Sequence, residues 1–288
     1  MLLREIKNIF HKELDALYPK EEVDSFFYML IEHYYELPRF ILAMQPEYVL
    51  SKEEEQPMFE AIAKLHLNTP IQHIIGSAYF MEMDFKVNEN VLIPRPETEE
   101  LVQWILDEVN SENNHLNKLK ELKILDIGTG TGCIAIALAK NLSNAKVSAV
   151  DISLEALQIA KQNALANGVE IEFLQQDIFE IDLTPKFDII VSNPPYVRLL
   201  EKKEMHENVL DKEPDLALYV SNENPLIFYK KITELAKESL HNDGYLFFEI
   251  NQYLGEETRE LLLHHNFSEI ELRKDLFGNN RMLKAMQP

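Results

Sequence analysis

Asn193-Pro194-Pro195-Tyr196 is the stretch of this chain whose residue types most plainly suit chemistry. It fits a planar nitrogen group, either a side-chain amide or an aromatic amine. Such a nitrogen has a delocalised lone pair and is a poor nucleophile. A site acting on it must hold it in line with the reacting partner and stabilise the positive charge that grows on it. The side-chain oxygen of Asn193 can accept one N–H, and the carbonyl of Pro194 can accept the other. Pro195 keeps the residue before it out of helical angles, which fixes where that carbonyl points. Tyr196 supplies a flat wall. The gain is orientation and preorganised dipoles rather than base catalysis. Proton loss can follow, so no histidine base is required. The competing reading is a plain proline-rich turn.

A second cluster precedes it. Asp126-Ile127 runs into Gly128-Thr129-Gly130-Thr131-Gly132. Glycines there permit a tight turn and let backbone N–H groups approach a ligand closely. Asp151 ends the next strand pattern, where a carboxylate can accept hydrogen bonds from both hydroxyls of a ribose. A dinucleotide fingerprint wants G-x-G-x-x-G. Counting from Gly128, the sixth position is Cys133, so the third glycine is missing and the order is G-x-G-x-G. That order departs from the form that cradles a pyrophosphate. Asp177 follows the third strand pattern, within reach of an adenine amino group, with Ile178 beside the ring. The competing reading for Asp177 is a loop acid or helix cap.

These residues need a scaffold, and the apolar pattern supplies one. From Lys123 the pattern alternates: strands at 123–127, 146–150, 170–174, 187–191 and 244–250, and helices at 132–140, 153–167, 225–240 and 256–265. Alternation of this kind predicts an α/β fold with a mostly parallel sheet covered on both faces. Ligands in such sheets sit beyond the carboxyl ends of the strands, which brings both clusters together. A last pair at 268–273 and 282–286, joined by DLFGNNR, predicts a closing hairpin that puts an antiparallel strand at the sheet edge.

The first 70 residues carry no catalytic cluster. Leu3, Ile6, Phe10, Leu14 and Leu17 recur at helical spacing, and a second stripe from Phe26 to Leu37 ends at Pro38. Ser51 and Glu54 fit a capping box. The predicted organisation is a helical bundle over 1–70 that binds or positions something, a β-hairpin linker over 71–93 drawn from Ile74, Ile75, Tyr79, Phe80, Phe85, Val87 and Val91, and a catalytic domain over 94–288.

Composition narrows the function. The net charge is −21, and both parts of the chain are acidic, which argues against a surface that grips nucleic-acid phosphate. No apolar run approaches the ~20 residues of a membrane span. The charged N-terminus reads as no signal peptide, and the single cysteine, Cys133, fits a reducing cytoplasm.

At this point the sequence resembles a known family. The G-x-G-x-G order is that of class I methyltransferases, and NPPY on such a sheet is shared by DNA adenine methyltransferases and protein-glutamine methyltransferases. PIQHIIGSAYF at 70–80, VLIPRPETEELV at 91–102, LDIGTGTGCIAIALA at 125–139, VSNPPYV at 191–197, EPDLAL at 213–218 and DLFGNNRML at 275–283 resemble the release-factor glutamine methyltransferases, the HemK type. The resemblance implies a Rossmann-like, seven-stranded S-adenosylmethionine-dependent methyltransferase domain with a small helical N-terminal domain. It implies methylation of the glutamine in the Gly-Gly-Gln loop of peptide chain release factors. It assigns Gly128, Thr129, Gly130, Thr131, Gly132 and Asp151 to S-adenosylmethionine, and Asp177 and Ile178, by their place after the third strand, would join them at the adenine. Asn193, Pro194, Pro195 and Tyr196 would hold the glutamine, with Asn193 bordering the cofactor as well. No metal is expected. The ribosomal-protein relatives are expected to carry IPRS-type sequence where this chain has IPRPETE. Members usually carry glycine soon after the glutamate of the fifth strand, whereas Glu249 here is followed by Ile250-Asn251-Gln252.

Two other readings compete. An adenine-specific nucleic-acid methyltransferase explains NPPY equally well. It does not explain the acidity of the chain or the lack of a target-recognition insertion. A non-catalytic binding protein on the same fold would not need loop, acid and NPPY together.

Overall fold

The computed structural model of the protein describes residues 1–181, 186–204 and 212–288. Among the described residues the chain forms two compact units, one holding Met1–Gly76 and one holding the described residues of 77–204 and Glu213–Pro288.

The first unit is helical: α1 (Leu3–Leu14), α2 (Lys20–Tyr35), α3 (Ile41–Met44), α4 (Lys52–His66) and α5 (Ile71–Ile75). The apolar stripes of the sequence become its core. Leu3, Ile6, Phe10 and Leu14 of α1 are fully buried with Phe27, Leu30 and Ile31 of α2. Phe10 and Phe27 meet edge to face at 5.5 Å. Each such side chain stabilises the unit by about 1.5–3 kcal/mol relative to exposure. Leu17 is exposed because α1 stops at Leu14. The capping box forms: Ser51 Oγ accepts from the Glu54 N–H at 3.3 Å, and Glu54 Oε2 accepts from the Ser51 N–H at 2.7 Å. α2 ends before Pro38. Glu36 takes a left-handed conformation (φ 55°), and the Leu37 N–H turns back to the Ile31 carbonyl at 3.3 Å.

The hairpin is shorter than its sequence suggests. Ile74 and Ile75 are helical, not extended. Pro70 starts α5, and Ile71 and Ile74, three apart, bury into the core of the helical unit. Gly76 (φ 78°) closes the turn, and only then does the hairpin run, as β1 (Ser77–Phe80) and β2 (Met83–Lys86). The hairpin belongs to the second unit, where Ala78, Val87, Val91 and Ile93 pack on Ala156 and Ile159.

The second unit continues with α6 (Pro96–Asn110), β3 (Leu122–Ile127), α7 (Cys133–Asn141), β4 (Ala145–Asp151), α8 (Leu154–Asn167), β5 (Glu172–Gln175), β6 (Phe187–Ser192), β7 (Val197–Arg198), α9 (Asp215–Leu218), β8 (Tyr219–Val220), α10 (Ile227–Ser239), β9 (Leu240–Glu249), α11 (Gly255–His264), β10 (Ser268–Lys274) and β11 (Asn280–Met286). Seven strands form one sheet in the order β10-β11-β9-β6-β3-β4-β5. The pairs of β3 with β4 and β6, of β4 with β5, and of β6 with β9 are parallel. β3 is fully buried at Ile124 and Leu125, as a central strand covered on both faces must be.

The closing hairpin places its antiparallel strand one position inside the edge. β11 runs antiparallel between β9 and β10, and β10 forms the rim. Burial explains the choice: Met282, Leu283, Lys284 and Ala285 of β11 are buried, whereas β10 is half-exposed along its length. The small parallel pair β7–β8 has too few residues to leave a periodic signal. The order of connections reverses at β3, since the chain proceeds from β3 to β4 and β5 on one side and returns to β6 on the other. The carboxyl ends of β3 and β6 therefore flank the switch-point crevice where ligands bind in open α/β sheets.

Candidate active site

The glycine loop leaves β3 at that crevice. Gly128, Gly130 and Gly132 all have positive φ, at 74°, 55° and 82°. A Cβ on Gly128 or Gly130 would meet nothing within 4 Å, so those two leave open space for a ligand. Gly132 differs: its Cβ would stand 3.0 Å from Ile136 Cδ1 and 3.2 Å from Ala160 Cβ. Its role is to let the loop pack against α8. Thr129 and Thr131 between the glycines are buried. Asn163 of α8 braces the loop by donating to the Thr131 carbonyl at 2.9 Å.

Asp151, at the end of β4, faces the loop. Its Oδ2 accepts from the Gly130 N–H at 2.8 Å and its Oδ1 from the Ser153 N–H at 2.9 Å. A carboxylate oxygen has two acceptor sites, so both retain capacity for a hydroxyl. Burial pushes the Asp151 carboxyl up, and the N–H groups of Ser153 and Gly130 pull it back. Asp177 forms a turn in which its Oδ1 accepts from the Phe179 N–H at 2.9 Å. Ile178 packs on the core cluster beneath the sheet. The turn gives Asp177 a local structural role, and one carboxylate oxygen is not used in it.

Asp126, passed over in the sequence as part of β3, is fully buried at the root of the loop. Its Oδ2 accepts from Thr129 Oγ1 at 2.6 Å, while Oδ1 is buried without a partner of good geometry. Burial raises its carboxyl to about 7. The Thr129 hydroxyl and the Ala135 N–H oppose that rise, and the Asp151 charge adds to it. An orphaned acceptor beside two open glycines fits a ligand that brings a cation. Burial pushes the Cys133 thiol up to about 12, which disfavours the thiolate that nucleophilic chemistry needs.

NPPY follows β6 in irregular backbone, as its prolines require. Ser192 Oγ donates to the Ile127 carbonyl at 2.7 Å and ties the end of β6 to the end of β3. Asn193 Nδ2 donates to Thr98 Oγ1 at 3.3 Å. Pro194 is buried and Pro195 partly so. The Tyr196 hydroxyl donates to Glu249 Oε1 at 2.8 Å, and the Tyr196 carbonyl accepts from Asn251 Nδ2 at 2.9 Å. Burial, and then the Glu249 charge, hold the Tyr196 phenol well above its ordinary value, so it stays a donor. Glu249 closes the network. Its Oε2 accepts from Thr98 Oγ1 at 2.6 Å, and its backbone carbonyl accepts from the Tyr229 hydroxyl at 3.2 Å. Burial raises the Glu249 carboxyl, opposed by the Thr98 and Tyr196 hydroxyls and the Arg281 charge.

Sequence reasoning missed Thr98, Glu249 and Arg281. A signal existed for two of them. Thr98 is a polar residue on the apolar face of α6, and Glu249 is an acid ending the buried run from Tyr245 to Phe248 in β9. Asn251, which departs from the expected glycine-rich turn, fills its place with contacts: Nδ2 also donates to Glu201 Oε2 at 2.8 Å. The IPRPET and EPDLAL stretches meet through Arg95 Nη2 and Glu213 Oε1 at 2.7 Å. No group of three or more metal-ligating side chains occurs among the described residues. No helix among them is long and apolar enough to cross a membrane.

Two family models match the chain: "PrmC N-terminal domain" over residues 7–76 and "Methyltransferase small domain" over residues 113–215. The sequence is 50% identical to a release factor glutamine methyltransferase of Flavobacterium psychrophilum over 99% of each chain. It is 43% identical to one of Bacteroides thetaiotaomicron over 95% of this chain and 96% of that one. Among solved structures it resembles the hMettl16 catalytic domain in complex with MAT2A 3'UTR hairpin 6. The TM-score is 0.55 and the identity 15%, covering 81% of this chain and 82% of that one, which speaks to the fold alone. Sheet order, glycine loop and the methyltransferase match define a class I methyltransferase. More narrowly, the chain belongs to the release factor glutamine methyltransferase family.

Proposed function

We propose that the protein transfers a methyl group from S-adenosylmethionine to the side-chain amide nitrogen of the glutamine in a release-factor Gly-Gly-Gln loop. The observation that carries the reading is the 50% identity to a release factor glutamine methyltransferase along the whole chain, with the NPPY site at the switch point. When bound, S-adenosylmethionine supplies an electrophilic methyl group on a sulfonium. Gly128 to Gly132, Asp126 and Asp151 hold it, and Asp177 and Ile178 border its adenine. Asn193 Oδ1 and the Pro194 carbonyl accept the two amide N–H groups, which aims the nitrogen lone pair along the transfer line. Pro195 fixes that carbonyl, and Tyr196 walls the planar group. As charge grows on nitrogen, both acceptor dipoles already point at its protons and need no reorganisation. The proton is lost to solvent water after transfer, so the reaction requires no histidine base.

The helical unit serves as the second contact surface for the release factor. It carries exposed Phe40, Met44 and Val49 and its own core, with no part in the chemistry. The site is proposed to work in the cytoplasm, where release factors act. The test offers labelled S-adenosylmethionine together with release factor, ribosomal protein and DNA. Label on the release factor supports the reading, and label on DNA adenine alone overturns it.

A further inference from the structure

The Glu249 carboxylate joins two hydroxyls around NPPY. Its Oε1 receives the Tyr196 hydroxyl at 2.8 Å and its Oε2 receives the Thr98 hydroxyl at 2.6 Å. The direction of these bonds matters. Both Glu249 oxygens accept in these bonds, and a threonine hydroxyl has one proton to give. Because Thr98 gives that proton to Glu249, it can only accept from Asn193. The Asn193–Thr98 bond, at 3.3 Å, therefore requires the Asn193 NH2 to face Thr98. Its oxygen is then left as the acceptor.

We propose that Glu249 and Thr98 form a polarity relay that fixes which end of the Asn193 amide meets the substrate, with Tyr196 oriented by the same carboxylate. The inference rests on the proposed glutamine methylation and adds two positioning residues to it. A free asparagine amide presents oxygen and nitrogen about equally, and a flipped Asn193 would offer N–H to N–H and repel the substrate amide. The surroundings favour the relay. Glu249 is 1% exposed, and Tyr229 and Arg281 flank it, so the carboxylate has few alternative arrangements.

Three variants of the full-length protein test the relay. Thr98→Val keeps shape but removes the hydroxyl. Glu249→Gln introduces a donor that frees the Thr98 proton to turn towards Asn193. Thr98→Ser keeps the relay. With release factor as substrate, Thr98→Val and Glu249→Gln should lower kcat by roughly 10- to 100-fold, the scale expected for a misoriented reacting group. KM for the release factor and S-adenosylmethionine affinity by calorimetry should change by less than about twofold, and Thr98→Ser should stay within about threefold of wild-type kcat. A residue that only supports the fold would instead lower melting temperature and cofactor affinity, and serine would not rescue it. Wild-type kcat in folded Thr98→Val would overturn the relay alone. Wild-type enzyme that leaves the release-factor glutamine unlabelled would overturn the proposed function, and the relay with it.

Discussion

At the scale of single residues, the site divides into groups that bind and groups that orient. Asn193 is expected to act in the transition state more than in the ground state. Asn193→Ala should lower single-turnover methyl transfer by about 10²–10³ while leaving cofactor affinity near normal. Equal turnover in the folded variant would remove Asn193 from the mechanism. Asp151→Ala should weaken S-adenosylmethionine by about 1.5–3 kcal/mol, the value of hydrogen bonds to a charged group. Calorimetry decides it, with unchanged affinity ruling out the ribose assignment. Asp126 makes a pH-dependent prediction. Its folded pKa, about 7, lies above the unfolded value, so the folded apoprotein binds the proton more tightly. The penalty for its charge is absent at acid pH and grows as pH rises towards 7. The stability of wild type relative to Asp126→Asn should therefore fall between about pH 4 and pH 7, and level off above that, in the absence of cofactor. Arrival of a cationic cofactor favours the ionised form, so binding near pH 7 should release protons. Calorimetry in buffers of different ionisation enthalpy reads that release, and Asp126→Asn should abolish it. A release unchanged in the variant would place the titrating group elsewhere.

At the scale of elements, sequence periodicity located the long strands and helices to within a few residues and lost the short ones. α3, α5, β7 and β8 have two to five residues each, too few for either period to repeat in a readable pattern. Tertiary packing decided the rest. Ile74 and Ile75 are β-prone types drawn into a helical turn because Ile71 and Ile74 reach an apolar core. β11 lies inside β10 because its residues carry the greater burial. NPPY and the glycine loop were legible because local sequence sets their backbones. Thr98, Glu249 and Arg281 were not, since they meet across three elements far apart in the chain. The glycines give a prediction of their own. Gly130→Ala adds only left-handed strain, about 1–2 kcal/mol. Gly132→Ala adds that strain and a clash with Ile136 and Ala160, a further 1–3 kcal/mol or so of overpacking. Thermal unfolding should rank Gly132→Ala below Gly130→Ala, and the reverse order would contradict the packing role of Gly132.

At the scale of the whole molecule, each unit has its own apolar core, and the cores share no residue. The acid excess was legible as evidence against a phosphate-gripping surface. No pattern within residues 1–76 names a partner, because a docking face is defined by shape and by the other molecule. Binding energy from such a face can orient the reacting amide without touching it. Removing residues 1–76 should therefore preserve cofactor binding and sharply reduce methylation of an intact release factor. Rates on a short Gly-Gly-Gln peptide, low for both proteins, should change little. Equal loss on peptide and whole factor would show that the helical unit supports the catalytic unit rather than the substrate.

The central claim is the position of the transferred methyl group. Tandem mass spectrometry of a release factor treated with S-adenosylmethionine and this protein locates it directly. One methyl group is expected on the side-chain nitrogen of the Gly-Gly-Gln glutamine with wild-type enzyme, and almost none with Asn193→Ala. Methyl groups on another residue, or an unmodified glutamine beside methylated adenine in added DNA, would contradict it.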